Sequence, residues 1–253
     1  MTEQNGIPMT VVNRKKPTNI EFIKNKAKWK PTWKRRYMQY LASLKAILTY
    51  PFFKQNDSGV KLFFENNYNK TPDPLLFDGN TNQYLDQITN VLDIKSLNDK
   101  DVIDLGCGSG SFLFWLEKKG VNPRSYLGLD FAHENKVLSS NKKIINQNIF
   151  EFEMPRNHYV VLINVACYLG NKQLDDLLKN VKERNCKLII IDPHPNFFWD
   201  KHFNGIKPHY RMIDDFLSLV QKKGYRVEKV SMDYFGKLGR KFVGPVSFCI
   251  FAN

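Results

Sequence analysis

A glycine-rich segment at residues 104–110, DLGCGSG, is the feature of this 253-residue chain that most constrains its fold. It overlaps the end of an apolar run at residues 101–105 that is typical of a strand, and it precedes a helical pattern at residues 111–119. Glycine has no Cβ atom, so such a turn can adopt positive φ angles and can let a ligand approach the backbone. The unpaired N–H groups of the following helix would face that ligand. The segment therefore predicts a strand–turn–helix unit that binds a ligand.

Strands and helices alternate along the chain after this turn. Further apolar runs predict strands at residues 125–129, 143–149, 158–164, 187–191, 225–234 and 246–252, and helical periodicity predicts helices at 173–184 and 214–223. Parallel strands that are buried on both faces have such near-continuous apolar runs. The predicted fold class is therefore α/β, with a Rossmann-like sheet in a domain that spans residues 76–253.

An acidic residue, Asp130, lies twenty residues past the last glycine of the turn, at the end of the second predicted strand. A carboxylate in that place can accept hydrogen bonds from both hydroxyls of a ribose bound over the turn. The dinucleotide fingerprint GxGxxG requires a third glycine at position 111, which is Ser111 here. The spacing therefore disfavours a site of the NAD type.

Together, VIDLGCGSG and YLGLD resemble the motifs of class I S-adenosylmethionine (SAM)-dependent methyltransferases. HYVVLINVACYL resembles the fourth strand and following loop of that family, and KLIIIDPHPNFF resembles its fifth strand and acceptor-side loop. The resemblance implies a seven-stranded sheet of order 3-2-1-4-5-7-6, with the last strand antiparallel, and SAM as the cofactor. It also implies cofactor-binding roles for Asp104, Gly106, Gly108, Gly110, Asp130, Asn148 and Asn164.

The resemblance implies different contacts for three of these positions, Asp104, Asn148 and Asn164. Asp104 either organises the glycine turn or contacts the methionine amino group. The family often has an acidic residue after strand three that contacts adenine, and Asn148 stands there in this chain with its own hydrogen-bonding capacity. Asn164 begins the sequence NVAC, where enzymes that methylate adenine or glutamine nitrogen carry an NPPY-type tetrapeptide. The signature for those two acceptors is therefore missing.

Three residues are candidates for a catalytic base: His194, Tyr168 and His209. A histidine with a pKa near 6.5 can take a proton from a hydroxyl or an amine as the methyl group arrives. His194 follows the fifth predicted strand, on the edge where open α/β sheets bind their ligands. A reaction at an activated sulfonium can also proceed by positioning alone, so both mechanisms stay open.

A second glycine-containing segment, GKLGRK, follows the sixth predicted strand. If that strand is parallel, the segment starts at the ligand edge of the sheet, where Lys237, Arg240 and Lys241 can hold an anionic group. Lys207 and Arg211 could add charge from the neighbouring loop. We therefore expect a small-molecule acceptor with an anionic group, and a solvated basic turn is the alternative.

The N-terminal 70 residues carry 14 basic and 4 acidic residues, a balance of +10, whereas the rest of the chain carries 24 and 21. Apolar and aromatic residues recur at three- and four-residue steps from residue 18 to about residue 68, which predicts helices. Residues 1–75 are thus predicted to form a basic helical extension that acts as a lid over cofactor and acceptor. A segment that binds RNA or a membrane surface is the alternative for interleaved basic and aromatic residues.

The composition argues against several other classes of protein. The four cysteines have neither CxxC nor histidine-paired spacing, which disfavours a disulfide framework or a zinc module and suits a reducing cytosol. No apolar run reaches the roughly 18 residues needed to span a bilayer, and the first residues lack the apolar segment of a secretory signal. We therefore predict a cytoplasmic methyltransferase, with an RNA methyltransferase and a non-catalytic binding protein of the same fold as alternatives.

Overall fold

A computed structural model describes residues 20–26, 85–132, 134–193, 209, 211–234 and 245–253 of the protein. The strands of this part are β1 (Glu21–Lys26), β2 (Asp101–Leu105), β3 (Ser125–Leu129), β4 (Lys136–Ser139), β5 (Lys142–Ile145), β6 (Tyr159–Ile163), β7 (Lys187–Pro193), β8 (Val227–Tyr234) and β9 (Pro245–Ala252). Its α-helices are α1 (Ile88–Val91), α2 (Ser111–Lys118), α3 (Asn171–Glu183) and α4 (Ile213–Lys222). Short 3₁₀-helices lie at Ile94–Leu97 and Ala166–Tyr168.

The described strands form one sheet in the order β1-β8-β9-β7-β6-β2-β3-β5-β4. Neighbours from β7 through β6, β2 and β3 to β5 are parallel, whereas β9 is antiparallel to both β7 and β8. Without the two edge strands β1 and β4, the remaining seven strands have the order 3-2-1-4-5-7-6 when they are numbered along the chain from β2. The predicted α/β class and sheet order are therefore confirmed.

Both faces of this sheet are buried, as the apolar strands predict. On one face, α3 packs a stripe of Leu174, Leu177, Leu178 and Val181 against the strands, and α4 lies beside it. On the other face, α1 and α2 pack against the strands in a second apolar cluster that contains Trp115 of α2. No helix within the described ranges is both long and apolar enough to cross a membrane.

The N-terminal extension contributes β1, which pairs in parallel with β8 at one edge of the sheet. The helix predicted from residue 18 onward is therefore wrong at Glu21–Lys26. Without β1, one side of strand β8 would have a row of unpaired backbone N–H and C=O groups. The stabilisation from pairing these groups exceeds the helix preference of a few apolar residues at helical spacing. Ile20 also packs against the apolar cluster on the α3 face. The rest of residues 1–75, and with it the predicted lid, lies outside the described residues.

At the opposite edge, the chain between β3 and β5 forms the hairpin strand β4, which runs antiparallel to β5. All four residues of β4 are exposed, and only two of them, Val137 and Leu138, are apolar, so the sequence has no apolar run long enough to predict a strand. The strand predicted at residues 143–149 is found at Lys142–Ile145 and ends four residues earlier. The carboxyl ends of β2, β3, β5, β6 and β7 lie at one edge of the sheet, because these strands are parallel.

Candidate functional site

The glycine turn between β2 and α2 is bound to the end of the neighbouring strand β3. The backbone N–H groups of Gly106 and Cys107 both donate to the carbonyl oxygen of Leu129, at 2.7 and 3.1 Å. Because β2 and β3 are parallel, this turn lies at the carboxyl edge of the sheet. Open α/β sheets bind their ligands at that edge, so the turn is in the place that the sequence predicts.

The three glycines of the turn are required by backbone conformation and, at two positions, by close packing. Gly106, Gly108 and Gly110 have φ angles of 70°, 54° and 88°, a region that side chains disfavour. A Cβ atom at Gly106 would lie 2.5 Å from a methyl carbon of Val165, and one at Gly110 would lie 3.0 Å from a methyl carbon of Ile144. The glycines therefore let the turn lie close against the loop after β6 and against β5.

Asp130 follows β3 directly and holds the turn through its side chain. Its Oδ2 accepts a hydrogen bond from the Gly108 N–H at 2.9 Å, and its Oδ1 accepts one from the Ala132 N–H at 2.8 Å. The side chain is nearly buried, with 7% of the residue exposed. A carboxylate offers about four acceptor positions, so both oxygens keep the capacity to accept a ligand hydroxyl. Asp130 can thus order the turn and bind a ribose at once.

Asp104, the acidic residue that precedes the turn, is buried and has one hydrogen-bond partner among the described residues. It is buried on β2, where its Oδ2 accepts a hydrogen bond from the Tyr126 hydroxyl at 2.6 Å and its Oδ1 has no hydrogen-bond partner among the described residues. Burial raises the pKa of Asp104 to about 7, the Tyr126 hydrogen bond acts in the opposite direction, and the charge of Asp130 adds to the increase. Asp130 therefore holds the turn backbone, and both roles that the resemblance implies for Asp104, as organiser of the turn or as a contact of the methionine amino group, stay predictions.

Asn164 and the loop after β6 border the glycine turn. Asn164 has a φ angle of 59°, which is uncommon for a residue with a side chain and is tolerated best by asparagine and aspartate. Its backbone N–H donates to the carbonyl oxygen of Ile191 at 2.8 Å, which joins the ends of β6 and β7. The next residue, Val165, provides the methyl group that lies against Gly106. The loop that begins at Asn164 therefore lies against the glycine turn through Val165, and the cofactor-binding role of Asn164 stays a prediction.

A clamp formed by Arg211 holds this loop from the side of α4. Its guanidinium donates to the carbonyl oxygens of Ala166 and Leu169 at 2.9 and 2.7 Å and to Oδ1 of Asn171 at 2.9 and 3.1 Å. Burial lowers the pKa of Arg211, and the charge of the buried Asp192 at the end of β7 opposes this effect. Protein oxygens therefore occupy its donors, and a contribution of its charge to acceptor binding stays a prediction.

Two of the three candidate bases lie on segments that contact each other. Tyr168 is partly buried in the 3₁₀-helix after β6, whereas His209 is exposed. The backbone N–H of His209 donates to the carbonyl oxygen of Cys167 at 2.6 Å. The His209 ring comes within 3.9 Å of where a Cβ would stand at Gly170. His209 thus lies against the loop after β6 that contains Tyr168, and the catalytic roles of both residues stay predictions.

Asn148 follows β5 and is exposed. Its Oδ1 accepts a hydrogen bond from the backbone N–H of Phe150 at 3.1 Å and so closes a turn. Since β5 is the neighbour of β3, this turn lies at the same edge of the sheet as Asp130. The adenine contact that the resemblance implies stays a prediction.

The remaining candidates lie outside the described residues: His194, Lys207, Lys237, Arg240 and Lys241. Two residues at the site were not predicted, namely Tyr126 and Asp192. A tyrosine inside a buried strand indicates core packing, so the sequence holds no signal for the contact of Tyr126 with Asp104. Asp192 does have a signal, because it is an acidic residue that directly follows the apolar run KLIII.

Comparison with known proteins agrees with this architecture. No family model matches the sequence, and no match to a curated protein is found. Among solved structures, a SAM-dependent methyltransferase from Mesorhizobium loti has a TM-score of 0.51 at 14% identity, over 66% of this chain and 99% of that chain. One from Aquifex aeolicus has a TM-score of 0.50 at 19% identity, over 74% and 97%.

Human N-acetylserotonin methyltransferase, solved in complex with SAM, has a TM-score of 0.54 at 13% identity, over 86% of this chain and 67% of that chain. Likeness at such low identity concerns the fold. The chain therefore has the fold of the class I SAM-dependent methyltransferases, which its sequence motifs predict.

Proposed function

We propose that this protein is a SAM-dependent methyltransferase that acts on a small-molecule acceptor. The observation that carries the proposal is the side chain of Asp130, which holds the Gly108 N–H at 2.9 Å and keeps acceptor positions at the carboxyl edge of the sheet. A ribose bound over the turn would place its hydroxyls at that carboxylate. The fold shared with methyltransferases supports the same cofactor.

Four parts of the described chain would hold the cofactor. Asp130 would accept the ribose hydroxyls, and Asn148 would bind the adenine edge. The backbone of the glycine turn and the N-terminus of α2 would receive the methionine carboxylate, because the cap residue Gly110 has no side chain to satisfy the first N–H groups. The bound cofactor supplies a methyl group on a positively charged sulfur, and the protein has to position an acceptor in line with it.

The acceptor would lie against the loops that follow β6 and β7. The Arg211 clamp fixes the backbone of the first loop and so limits the positions that an acceptor can take. Tyr168 and His209 are the candidates in the described part for removing a proton from an acceptor hydroxyl or amine. The human structural neighbour is named for a small molecule, N-acetylserotonin, and this supports a metabolite acceptor. The basic side chains of Lys237, Arg240 and Lys241 support an anionic group on it.

Calorimetric titration with SAM and S-adenosylhomocysteine tests the first half of the proposal. We expect both compounds to bind the wild-type protein and to raise its melting temperature. Gly108→Val should abolish binding, since it places a branched side chain on a turn residue with positive φ. Absence of binding by either compound to the folded wild-type protein would refute the proposal.

Transfer of a labelled methyl group tests the second half. A panel of small acceptors with and without a carboxylate or phosphate should yield labelled product for the anionic members. The alternative of an RNA methyltransferase draws support from the +10 balance of the N-terminal 70 residues. Label that appears in RNA and in no small acceptor would select that alternative. Cofactor binding without transfer to either class would select a non-catalytic protein of this fold.

A further inference from the structure

The carboxylate of Asp130 is held by a peptide unit of the loop that follows it. The N–H of the peptide between Phe131 and Ala132 donates to Oδ1 of Asp130 at 2.8 Å. The carbonyl oxygen of the same peptide accepts a hydrogen bond from Nδ2 of Asn146, the first residue after β5, at 3.3 Å. Because a peptide unit is planar, the directions of its N–H and C=O groups are fixed relative to each other. The side chain of Asn146 therefore helps to fix the direction from which the Asp130 carboxylate is bound.

Asn146 extends the pairing between β3 and β5 past the last residues of these strands. The backbone N–H of Asp130 donates to the carbonyl oxygen of Ile145 at 3.2 Å. One residue further along each chain, the contact between Asn146 and Phe131 is made by a side-chain amide. The amide thus supplies an N–H donor at the point where the backbone ladder ends. The backbone is therefore bound to the end of β5 both at Asp130 and at the residue that follows it.

The hairpin strand β4 is joined to the same residue. The backbone N–H of Asn146 donates to Oδ1 of Asn135, which directly precedes β4, at 2.7 Å. Asn135 and Phe131 are the two ends of the connection from β3 to β4, at residues 131–135, so Asn146 contacts both ends. All four residues of β4 are exposed, so the hairpin adds little to the apolar core. Its contact with the site is this set of polar side chains.

We propose that Asn146 is a positioning residue that orients the Asp130 carboxylate for the two ribose hydroxyls, and that Asn135 holds Asn146 in place for this role. This inference rests on the proposed function, because it assumes that Asp130 binds the ribose of the cofactor. Asp130 binds Ala132 through Oδ1 and Gly108 through Oδ2, so the directions left for a ligand depend on both contacts. Without the Asn146 hydrogen bond the peptide before Ala132 is less constrained, and the site should discriminate less between a ribose and a dideoxyribose.

Two ligands isolate the ribose contact: S-adenosylhomocysteine and its analogue that lacks both ribose hydroxyls. Calorimetric titration gives the ratio of their Kd values, the ribose preference, in which changes in the folded fraction of the protein cancel. Wild type should prefer S-adenosylhomocysteine by about 10- to 100-fold, as hydrogen bonds to a charged group predict. Asn146→Ala should lower this preference by about two- to fivefold, the effect of one neutral hydrogen bond at an exposed residue. Asp130→Ala should remove most of the preference, and the double variant Asp130→Ala/Asn146→Ala should lower it no further.

Substitutions by aspartate separate the donor from the acceptor. Asn146→Asp keeps the size of the side chain, but a carboxylate cannot donate to the carbonyl oxygen of Phe131, so the ribose preference should fall as in Asn146→Ala. Asn135→Asp keeps an oxygen that accepts from the Asn146 N–H and should retain the wild-type preference, whereas Asn135→Ala should lower it. The two ligands have the same charge, so the effect of an added carboxylate cancels in the ratio.

Asn141→Ala is the matched control on the same hairpin. Asn141 lies at the other end of β5, where its Nδ2 donates to the backbone carbonyl oxygen of Arg124. The control thus loses the same kind of hydrogen bond, from a side-chain amide to a backbone carbonyl, at the edge of the sheet away from Asp130. Its ribose preference should equal that of wild type, even if its melting temperature falls.

The failure of this inference can be distinguished from that of the proposed function. An unchanged ribose preference in Asn146→Ala or Asn146→Asp, or an equal loss of affinity for both ligands, would overturn the positioning role of Asn146. A preference that falls equally in Asn141→Ala would overturn it too, and equal effects of Asn135→Asp and Asn135→Ala would overturn the role of Asn135. All these results leave the proposed function intact, because wild type still binds S-adenosylhomocysteine. If wild type binds neither SAM nor S-adenosylhomocysteine, the proposed function itself fails.

Discussion

The carboxylate of Asp130 accepts a hydrogen bond from the backbone N–H of Gly108 at 2.9 Å, and this contact joins the end of β3 to the glycine turn that follows β2. The second oxygen accepts from Ala132 at 2.8 Å, so one side chain orders two backbone segments. The residue that would bind the ribose therefore also shapes the surface on which the rest of the cofactor would lie. Removal of this side chain should affect the folded state and ligand binding together.

Asp130→Ala is expected to weaken SAM binding by about 10- to 100-fold, as the loss of charged hydrogen bonds worth about 1.5–3 kcal/mol predicts. It should also lower the melting temperature, because the N–H groups of Gly108 and Ala132 lose their acceptor. Asp176→Ala, at an exposed position of α3, is the control and should change neither quantity. Calorimetry and thermal denaturation measure the two effects, and wild-type affinity in Asp130→Ala would contradict the assigned role.

Gly106→Ala is expected to destabilise the protein more than Gly120→Ala does. The two glycines have nearly the same φ angles, 70° and 71°, so the backbone strain of about 1–2 kcal/mol is shared. Only at Gly106 would the new Cβ meet a neighbour, the Val165 methyl carbon at 2.5 Å, whereas nothing lies within 4 Å at Gly120. Urea denaturation of both variants measures the difference.

The double variant Gly106→Ala/Val165→Ala should recover part of the additional loss. Removing the Val165 methyl groups relieves the contact, and a coupling free energy of about 0.5–3 kcal/mol is usual for residues that touch. Additive effects of the two substitutions would show that the turn does not lie against the loop after β6. Gly120→Ala/Val165→Ala should be additive and serves as the control.

The central sheet could be predicted because its strands are continuous apolar runs whose order follows from the motif resemblance. The glycine turn could be predicted because only glycine suits positive φ at Gly106, Gly108 and Gly110. Strand β1 could not be predicted, because its few apolar residues have helical spacing. Its extended conformation depends on pairing with the backbone of the edge strand β8, which the local sequence does not show. Strand β4 could not be predicted either, because only two of its four exposed residues are apolar.

The contacts of single polar residues are harder to predict from the sequence, for a physical reason. The spacing of Asp104 and Asp130 shows that both lie at the carboxyl edge, yet which of them holds the turn depends on side-chain direction. Tyr126 decides the environment of Asp104 through a contact 22 positions away in the chain. Likewise, the sequence shows the charge of Arg211, whereas its hydrogen bonds to the carbonyl oxygens of Ala166 and Leu169 depend on how two loops pack.

Arg211→Ala is expected to lower the free energy of unfolding by about 1–3 kcal/mol, because buried carbonyl oxygens of the loop after β6 lose their donors. Arg211→Lys should recover little of this loss, since an ammonium group cannot reach several acceptors at once as the planar guanidinium does. The control Arg226→Ala removes an arginine whose side chain is 79% exposed and should have little effect. Hydrogen exchange should show lost protection in the loop after β6 for both Arg211 variants and wild-type protection for the control.

Asp104 should make the stability of the ligand-free protein depend on pH. Its folded-state pKa is raised from 3.8 to about 7, so the folded protein binds the proton more tightly than the unfolded chain does. The stability from this proton is fully present below about pH 3.8 and is lost as the pH rises through about 7. Between pH 5 and pH 8 the free energy of unfolding should therefore fall by about 2–3 kcal/mol from this group.

Denaturant titrations of wild type and Asp104→Asn at pH 5 and pH 8 measure this contribution. The substituted side chain in Asp104→Asn cannot ionise. The fall in the free energy of unfolding from pH 5 to pH 8 should therefore be smaller for this variant than for wild type by about 2–3 kcal/mol. Asp101→Asn is the matched control, because hydrogen bonds from Arg124 and Ser125 hold the pKa of Asp101 at about 2. The stability from Asp101 is present above about pH 3.8 and is lost only as the pH falls toward 2, so Asp101→Asn should change stability equally at pH 5 and pH 8. Parallel stability curves for wild type and Asp104→Asn would show that Asp104 is already ionised at pH 5.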